Sequence, residues 1–252
     1  MSSKRSKNKN KSVSTSASLV PITTAAGTAA TIVNKVGVGV FVAAKNEQQK
    51  QAIELIEKNL VTFLFGHPGT GKSFVSMAIG LRDLIRGKYK KLILTRPYVE
   101  AGEHLGFLPG GFNNKIAPFM YPLMEICTTL IGDSRAVIEL IDSGAISVMP
   151  MAYLRGCTFS DTFVVADEFQ NATIAQTRLL LTRIGNNSKI VITGDTEQSD
   201  LHPKAGINGL SDAIKRLNDI PGIQFYEFGP ESCVRSGIVS DIEDRYRNTR
   251  PI

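Results

Sequence analysis

The octapeptide Gly66-His67-Pro68-Gly69-Thr70-Gly71-Lys72-Ser73 constrains this chain more than any other stretch. It follows the apolar run Leu60 to Phe65 and precedes Phe74-Val75-Ser76-Met77-Ala78-Ile79. The pattern G-x-x-x-x-G-K-[ST] between a strand and a helix is that of a phosphate-binding loop. Its glycines let the backbone turn tightly, so that successive N–H groups converge on an anion at the positive end of the following helix. Lys72 is then placed to reach the β- and γ-phosphates of a nucleoside triphosphate, and the Ser73 hydroxyl to ligate Mg²⁺.

The 252 residues, 42% of them hydrophobic, suit one large α/β domain or two small ones. No apolar run approaches the length of a membrane span, and the basic, Ser-rich N-terminus has no apolar stretch with a cleavage site after it. Neither a transmembrane helix nor a signal peptide is expected. Cys127, Cys157 and Cys233 stand singly, a spacing that fits no disulfide framework or zinc site and suits a reducing cytoplasm. Lys4, Arg5, Lys7, Lys9 and Lys11 account for five of the net +6, and no acidic residue precedes Glu47. The charge therefore belongs to a tail, with a near-neutral body behind it. Residues 1–34 are expected to be disordered, since their Ser, Lys, Asn, Thr and Ala cannot bury enough surface to offset ordering entropy, and 35–252 to form the folded domain. Such a tail favours nucleic acid through counterion release, or simply serves solubility.

Along the body, apolar strand-like runs alternate with helical periodicity. Asn46 caps an expected helix to Ile56, and the helix after the phosphate loop is expected to end at Gly87. Lys91 to Pro97 reads as a strand buried on both faces. Tyr98 to Asn114, with four glycines, reads as a long loop, and Pro118 and Pro122 predict a short or kinked helix between Ile116 and Ile131. Strands follow at 145–149, 162–166, 189–193 and 223–228, with helices at 135–141, 173–184, 207–217 and 238–247. This alternation predicts a mostly parallel sheet covered by helices on both faces.

In such a sheet ligands sit beyond the carboxyl ends of strands. Asp167-Glu168 follows Phe163-Val164-Val165-Ala166. Asp167 is placed to hold Mg²⁺ opposite Ser73, and Glu168 to activate a water against the γ-phosphate, although acids also follow strands as helix caps. Gly194-Asp195-Thr196-Glu197-Gln198 ends the next strand. Gln198 carries both a donor and an acceptor with which to sense the γ-phosphate or its water, while Gly-Asp is also a turn signal. Arg235, past the Gly229-Pro230 turn, is the candidate arginine finger, supplied to a neighbouring subunit.

Taken together, the phosphate loop, Thr95-Arg96-Pro97, Gly102-Glu103-His104-Leu105-Gly106-Phe107-Leu108-Pro109-Gly110, Tyr153-Leu154-Arg155-Gly156-Cys157-Thr158-Phe159, Asp167-Glu168-Phe169-Gln170-Asn171 and Gly194 to Gln198 resemble PhoH-like proteins. The resemblance runs from about Asn46 to Arg247. It implies a three-layer RecA-like core related to superfamily 1 helicase lobes, ATP and Mg²⁺ as cofactors, and an ATPase linked to RNA or single-stranded DNA, with possible RNA helicase activity. The basic tail suggests a phage-encoded or otherwise compact member. Asn46-Glu47-Gln48-Gln49 resembles an adenine-reading motif, with Gln49 the residue expected on the base edge. Cys233-Val234-Arg235 resembles the family's Val-Val-Arg and supports the finger. Cys157 departs from a commonly basic position, and Phe169 from a commonly small one. The chain has room for only one lobe, so a neighbour must supply the missing face, and a homo-oligomeric ring, a hexamer as the resemblance suggests, is expected. Arg96, Tyr98, His104, Phe107 and Lys115 offer basic and aromatic groups suited to a single strand, or to a subunit contact. A P-loop kinase and a nucleotide-gated binding module are the alternatives.

Overall fold

The computed structural model describes residues 29–32, 40, 42–97, 112–196, 207–234, 237–239, 242 and 245, with backbone alone for 112–119. The loop from 98 to 111, Gln198 and Arg235 lie outside the described residues, as do residues 1–28 of the tail. Within the segment read as disordered, residues 29–32 form a helical turn, with Ala29 and Ile32 buried in the core.

Six strands form the sheet: β1 (Val61–Gly66), β2 (Lys91–Arg96), β3 (Ile146–Pro150), β4 (Thr162–Ala166), β5 (Lys189–Thr193) and β6 (Ile223–Phe228). Their order is β3-β2-β4-β5-β1-β6, and every pairing is parallel. The helices are α1 (Glu47–Lys58), α2 (Lys72–Ile85), α3 (Phe112–Ile131), α4 (Ser134–Asp142), α5 (Ile174–Leu181) and α6 (Gly209–Arg216). Alternate strand residues point to opposite faces. Leu64, Leu94, Val165 and Val191 pack with α1 to α4 through Ile56, Ile79, Leu123 and Leu140. Phe63, Ile93, Val164 and Ile192 pack with α5 and α6 through Leu180, Leu210 and Ala213. The three layers and the parallel sheet expected from the alternation are thus present. No described helix is long and apolar enough to cross a membrane.

Helix α3 is a correction. It runs unbroken for 20 residues through both prolines. Met120, Leu123, Cys127 and Ile131 form its buried stripe, whereas Pro122 is exposed. A proline removes one N–H from the helical ladder, and on the solvent side the freed carbonyl can turn to water while the buried stripe holds the helix together.

One buried charge fixes the opposite end of the molecule from the phosphate loop. Lys189, at the start of β5, donates from Nζ to the carbonyls of Ile56, Glu57 and Asn59, capping the C-terminus of α1. Burial above all, and then the charge of Lys88, pull its pKa down from 10.5 to about 8. Between about pH 8 and 10.5 the unfolded chain therefore holds more protons at this position than the folded one, so stability rises with pH across that window. The Tm of the wild type minus that of Lys189→Met is expected to increase over the same range. A flat or falling difference in thermal melts would contradict the assignment.

Candidate active site

The strand order brings the carboxyl ends of β4, β5 and β1 side by side, with β2 flanking β4 and β6 flanking β1. After β1 the chain crosses to β2 and returns only later to fill the two positions between, which opens a crevice at the strand ends. Gly66 ends β1 at φ 101°, where a Cβ would stand 2.4 Å from the Phe228 carbonyl oxygen. The His67 N–H donates to that same oxygen at 3.0 Å. Gly71 opens α2 at φ 87°. Side chains cap α1, α4, α5 and α6, but α2 has no side-chain cap. Its first N–H groups are those of the phosphate loop, the arrangement an anion requires.

Lys72 Nζ lies 2.7 Å from the carbonyl oxygens of both Gly66 and His67, so its ammonium rests inside the curl of its own loop. Ser73 Oγ donates to Asp167 Oδ1 at 2.5 Å. Asp167 is 2% exposed, and its carboxylate is held on every side. Thr193 Oγ1 also donates to Oδ1 at 2.5 Å, while Arg96 Nη2 and Nε donate to Oδ2 at 2.7 and 3.0 Å. Glu168 sits in the left-handed region at φ 54° with its side chain 45% exposed. Gln170 Nε2 donates to its Oε2 at 2.6 Å, and Arg96 Nη2 stands 3.4 Å from its Oε1. Burial first, then the Asp167 charge, push the Glu168 carboxyl above its ordinary pKa, while Gln170, Arg96 and Lys72 pull the other way.

A cleft of about 320 Å³ joins these groups, lined among others by Gly69, Lys72, Ser73, Asp167, Glu168 and Asp195. Its donor set suits a nucleoside triphosphate with Mg²⁺: N–H groups and an ammonium for phosphate, and paired hard oxygens of Ser73 and Asp167 for a cation. Mg²⁺ takes one or two protein ligands and completes its shell with phosphate oxygens and water. Among the described residues there is no cluster of three or more metal-ligating side chains, and two such oxygens beside a phosphate cradle are what this cation needs.

The structure thus brings together Gly66 to Ser73, Asp167 and Glu168. Gln49 is placed otherwise than expected. It is buried, its Nε2 donates to the Thr70 carbonyl at 2.9 Å and its Oε1 accepts the Lys45 N–H at 2.9 Å. Both ends of the amide are used in bracing the phosphate loop, so a contact with adenine would require one bond to be surrendered. Arg96 is a second correction. Its guanidinium is tied to Asp167 and Glu168 and is not displayed to a nucleic-acid strand. Arg96, Thr193 and Gln170 belong to the site without having been expected there, although Arg96 ends β2, Thr193 ends β5 and Gln170 follows the end of β4.

Fold and site together define a P-loop nucleotide-binding α/β protein. The family model described as PhoH-like protein matches residues 41–247. The chain belongs to the PhoH-like family. It is 41% identical over 224 residues to a PhoH-like protein of Synechocystis, covering 88% of this chain and 68% of that one. A PhoH-like protein of Mycobacterium tuberculosis is 41% identical over 208 residues, covering 82% and 58%, and the Protein PhoH of Escherichia coli 37% over 198 residues, covering 78% and 56%. The chain thus spans little more than half the length of the latter two. Among solved structures, the Hef helicase domain of Pyrococcus furiosus aligns over 77% of this chain and 39% of its own at 12% identity. The TM-score of that alignment is 0.40.

Proposed function

We propose that this chain hydrolyses ATP in a Mg²⁺-dependent reaction, coupled to RNA or single-stranded DNA and carried out by a homo-oligomeric, hexameric ring. The observation that carries hydrolysis is Glu168, half exposed at the rim of the cleft that Lys72, Ser73 and Asp167 line. Bound Mg²⁺ would draw charge off the phosphates and orient them. Lys72 leaves the carbonyls of Gly66 and His67 for the β- and γ-phosphate oxygens. Ser73 turns its hydroxyl proton away from Asp167 and presents a lone pair. A water oxygen attacks the γ-phosphorus in line, the bond to the β–γ bridging oxygen breaks, and Glu168 takes the proton of the water as ADP departs. Gln198 is assigned to the γ-phosphate or its water. The basic tail and the relation to helicase lobes that the family resemblance implies support the nucleic-acid partner.

Arg235 is assigned as the finger supplied to a neighbour, and a second reading, in which it serves its own site in cis, is supported by the contact of the residue before it. The Val234 N–H donates to the Gly69 carbonyl at 3.0 Å. Mixing Lys72→Ala with Arg235→Ala subunits separates the two arrangements: a trans finger restores hydrolysis in mixed rings, and a cis arginine does not.

Phosphate release from ATP with no acceptor present tests the proposal against a kinase, and the effect of single-stranded RNA on that rate tests it against a nucleotide-gated module. A chain that turns over ATP only when a phosphoryl acceptor is supplied would overturn it.

A further inference from the structure

After Glu168 the chain turns through Phe169–Asn171. The turn is closed by the Asn171 N–H on the Glu168 carbonyl at 3.1 Å and the Ala172 N–H on the Phe169 carbonyl at 3.0 Å, and Phe169 anchors it in the core. It folds Gln170, 5% exposed, back over the base. There its amide spans two strand ends: Nε2 donates to Glu168 Oε2 at 2.6 Å, and Oε1 accepts the Asp195 N–H at 3.0 Å. The orientation is forced, because a backbone N–H can only donate. The amide oxygen must face Asp195, which leaves the amino group for the carboxylate. Gly194 makes room for this bridge. A Cβ there would lie 3.0 Å from Gln170 Oε1, 3.2 Å from Gln170 N and 2.8 Å from Leu210 Cδ2.

We propose that Gln170 is a positioning residue for hydrolysis, whose amide sets the direction of the Glu168 carboxylate and ties it to the backbone at the end of β5. The inference rests on Glu168 acting on the attacking water. Arg96 does not duplicate this role, since its short bonds go to Asp167 and it approaches Glu168 only at 3.4 Å. With Oε2 held at 2.6 Å, Oε1, which carries only the longer 3.4 Å contact from Arg96, is the oxygen more open to water. A base displaced by roughly 1 Å can lose up to about 10²-fold in rate. The same bridge makes the aim of the base depend on the position of the Gly194-Asp195 backbone, so a shift there is felt at Glu168 with no contact of its own.

Three full-length variants test this by steady-state ATP hydrolysis, direct ATP binding with Mg²⁺ and thermal melts. Gln170→Met keeps the length but loses both bonds. Gln170→Glu keeps an acceptor for the Asp195 N–H and loses the donor to Glu168. Glu168→Gln calibrates the loss of the base itself. If Gln170 aims the base, kcat falls about 10- to 100-fold in both Gln170 variants, the worth of a charge-assisted hydrogen bond, and most in Gln170→Glu, while KM and ATP affinity stay within about three-fold. If Gln170 serves only to satisfy the Asp195 N–H, Gln170→Glu hydrolyses like the wild type and the inference is overturned. A Glu168→Gln enzyme of undiminished rate would overturn the reading of the base and this inference with it. A dead Glu168→Gln beside an active Gln170→Glu overturns this inference alone.

Discussion

Glu168→Gln is expected to lower ATP turnover by roughly 10²- to 10⁴-fold, the usual worth of a positioned general base, with MgATP affinity changed by less than about three-fold. The amide matches the carboxylate in shape and can still accept a hydrogen bond from water, but it cannot take the proton. Gln170 Nε2, 2.6 Å from Glu168 Oε2, retains an acceptor if the new amide turns its oxygen that way. The hydrogen bonds of Lys72 to Gly66 and His67, and those of Ser73, Thr193 and Arg96 to Asp167, do not use the Glu168 carboxylate and are kept. Burial and the neighbouring Asp167 charge already push the Glu168 carboxyl up, so the negative charge there is a cost to the fold. The neutral variant should therefore melt no lower than the wild type, and inactivity would be separated from instability. Single-turnover phosphate release, calorimetric titration with MgATP and a thermal melt decide it. Loss of ATP binding in the variant would mean that Glu168 acts on the ground state and not on the water.

How much of this could be read beforehand depended on whether an interaction is local. The phosphate loop was legible because Gly66 and Gly71 sit at positive φ, which the backbone demands whatever surrounds it. The bounds of β4, β5 and β6 match the expected strands, since β-branched and aromatic runs, wholly buried in β4 and β5, end abruptly at Asp167, Gly194 and Gly229. Helix α3 was misjudged because proline was weighed without its exposure, and exposure is a property of the packed layers. Arg96 was misread for a different reason. Its grip on Asp167, 71 residues further on, follows from β2 lying beside β4 in the sheet, an order that chain order does not disclose. Lys189 looked like an ordinary strand start, and only the return of α1 beneath it turns that ammonium into a cap.

Asp167→Ala is expected to cost about 3–5 kcal/mol of stability, the penalty for removing one partner of a buried ion pair, as well as abolishing Mg²⁺-dependent turnover. At 2% exposure the carboxylate depends on Arg96, Ser73 and Thr193 for what water would otherwise supply. Without it the Arg96 side chain, itself 13% exposed, loses the bonds from Nη2 and Nε to Oδ2 at 2.7 and 3.0 Å. Two hydroxyls lose their acceptor as well. Asp167→Asn should be milder, because the amide oxygen still accepts from Ser73 and Thr193. Arg96→Met in the Asp167→Ala background removes the stranded charge, so the double variant should be more stable than Asp167→Ala alone, giving a coupling free energy of opposite sign to the single losses. Urea denaturation of the four proteins measures that cycle, and additive losses would show that the two side chains are not energetically paired. The pairing also explains why a buried acid can serve a cation here. Arg96 occupies Oδ2, and Oδ1 is shared by two hydroxyls that can rotate, so the carboxylate can exchange the Ser73 donor for a metal ion without being left bare.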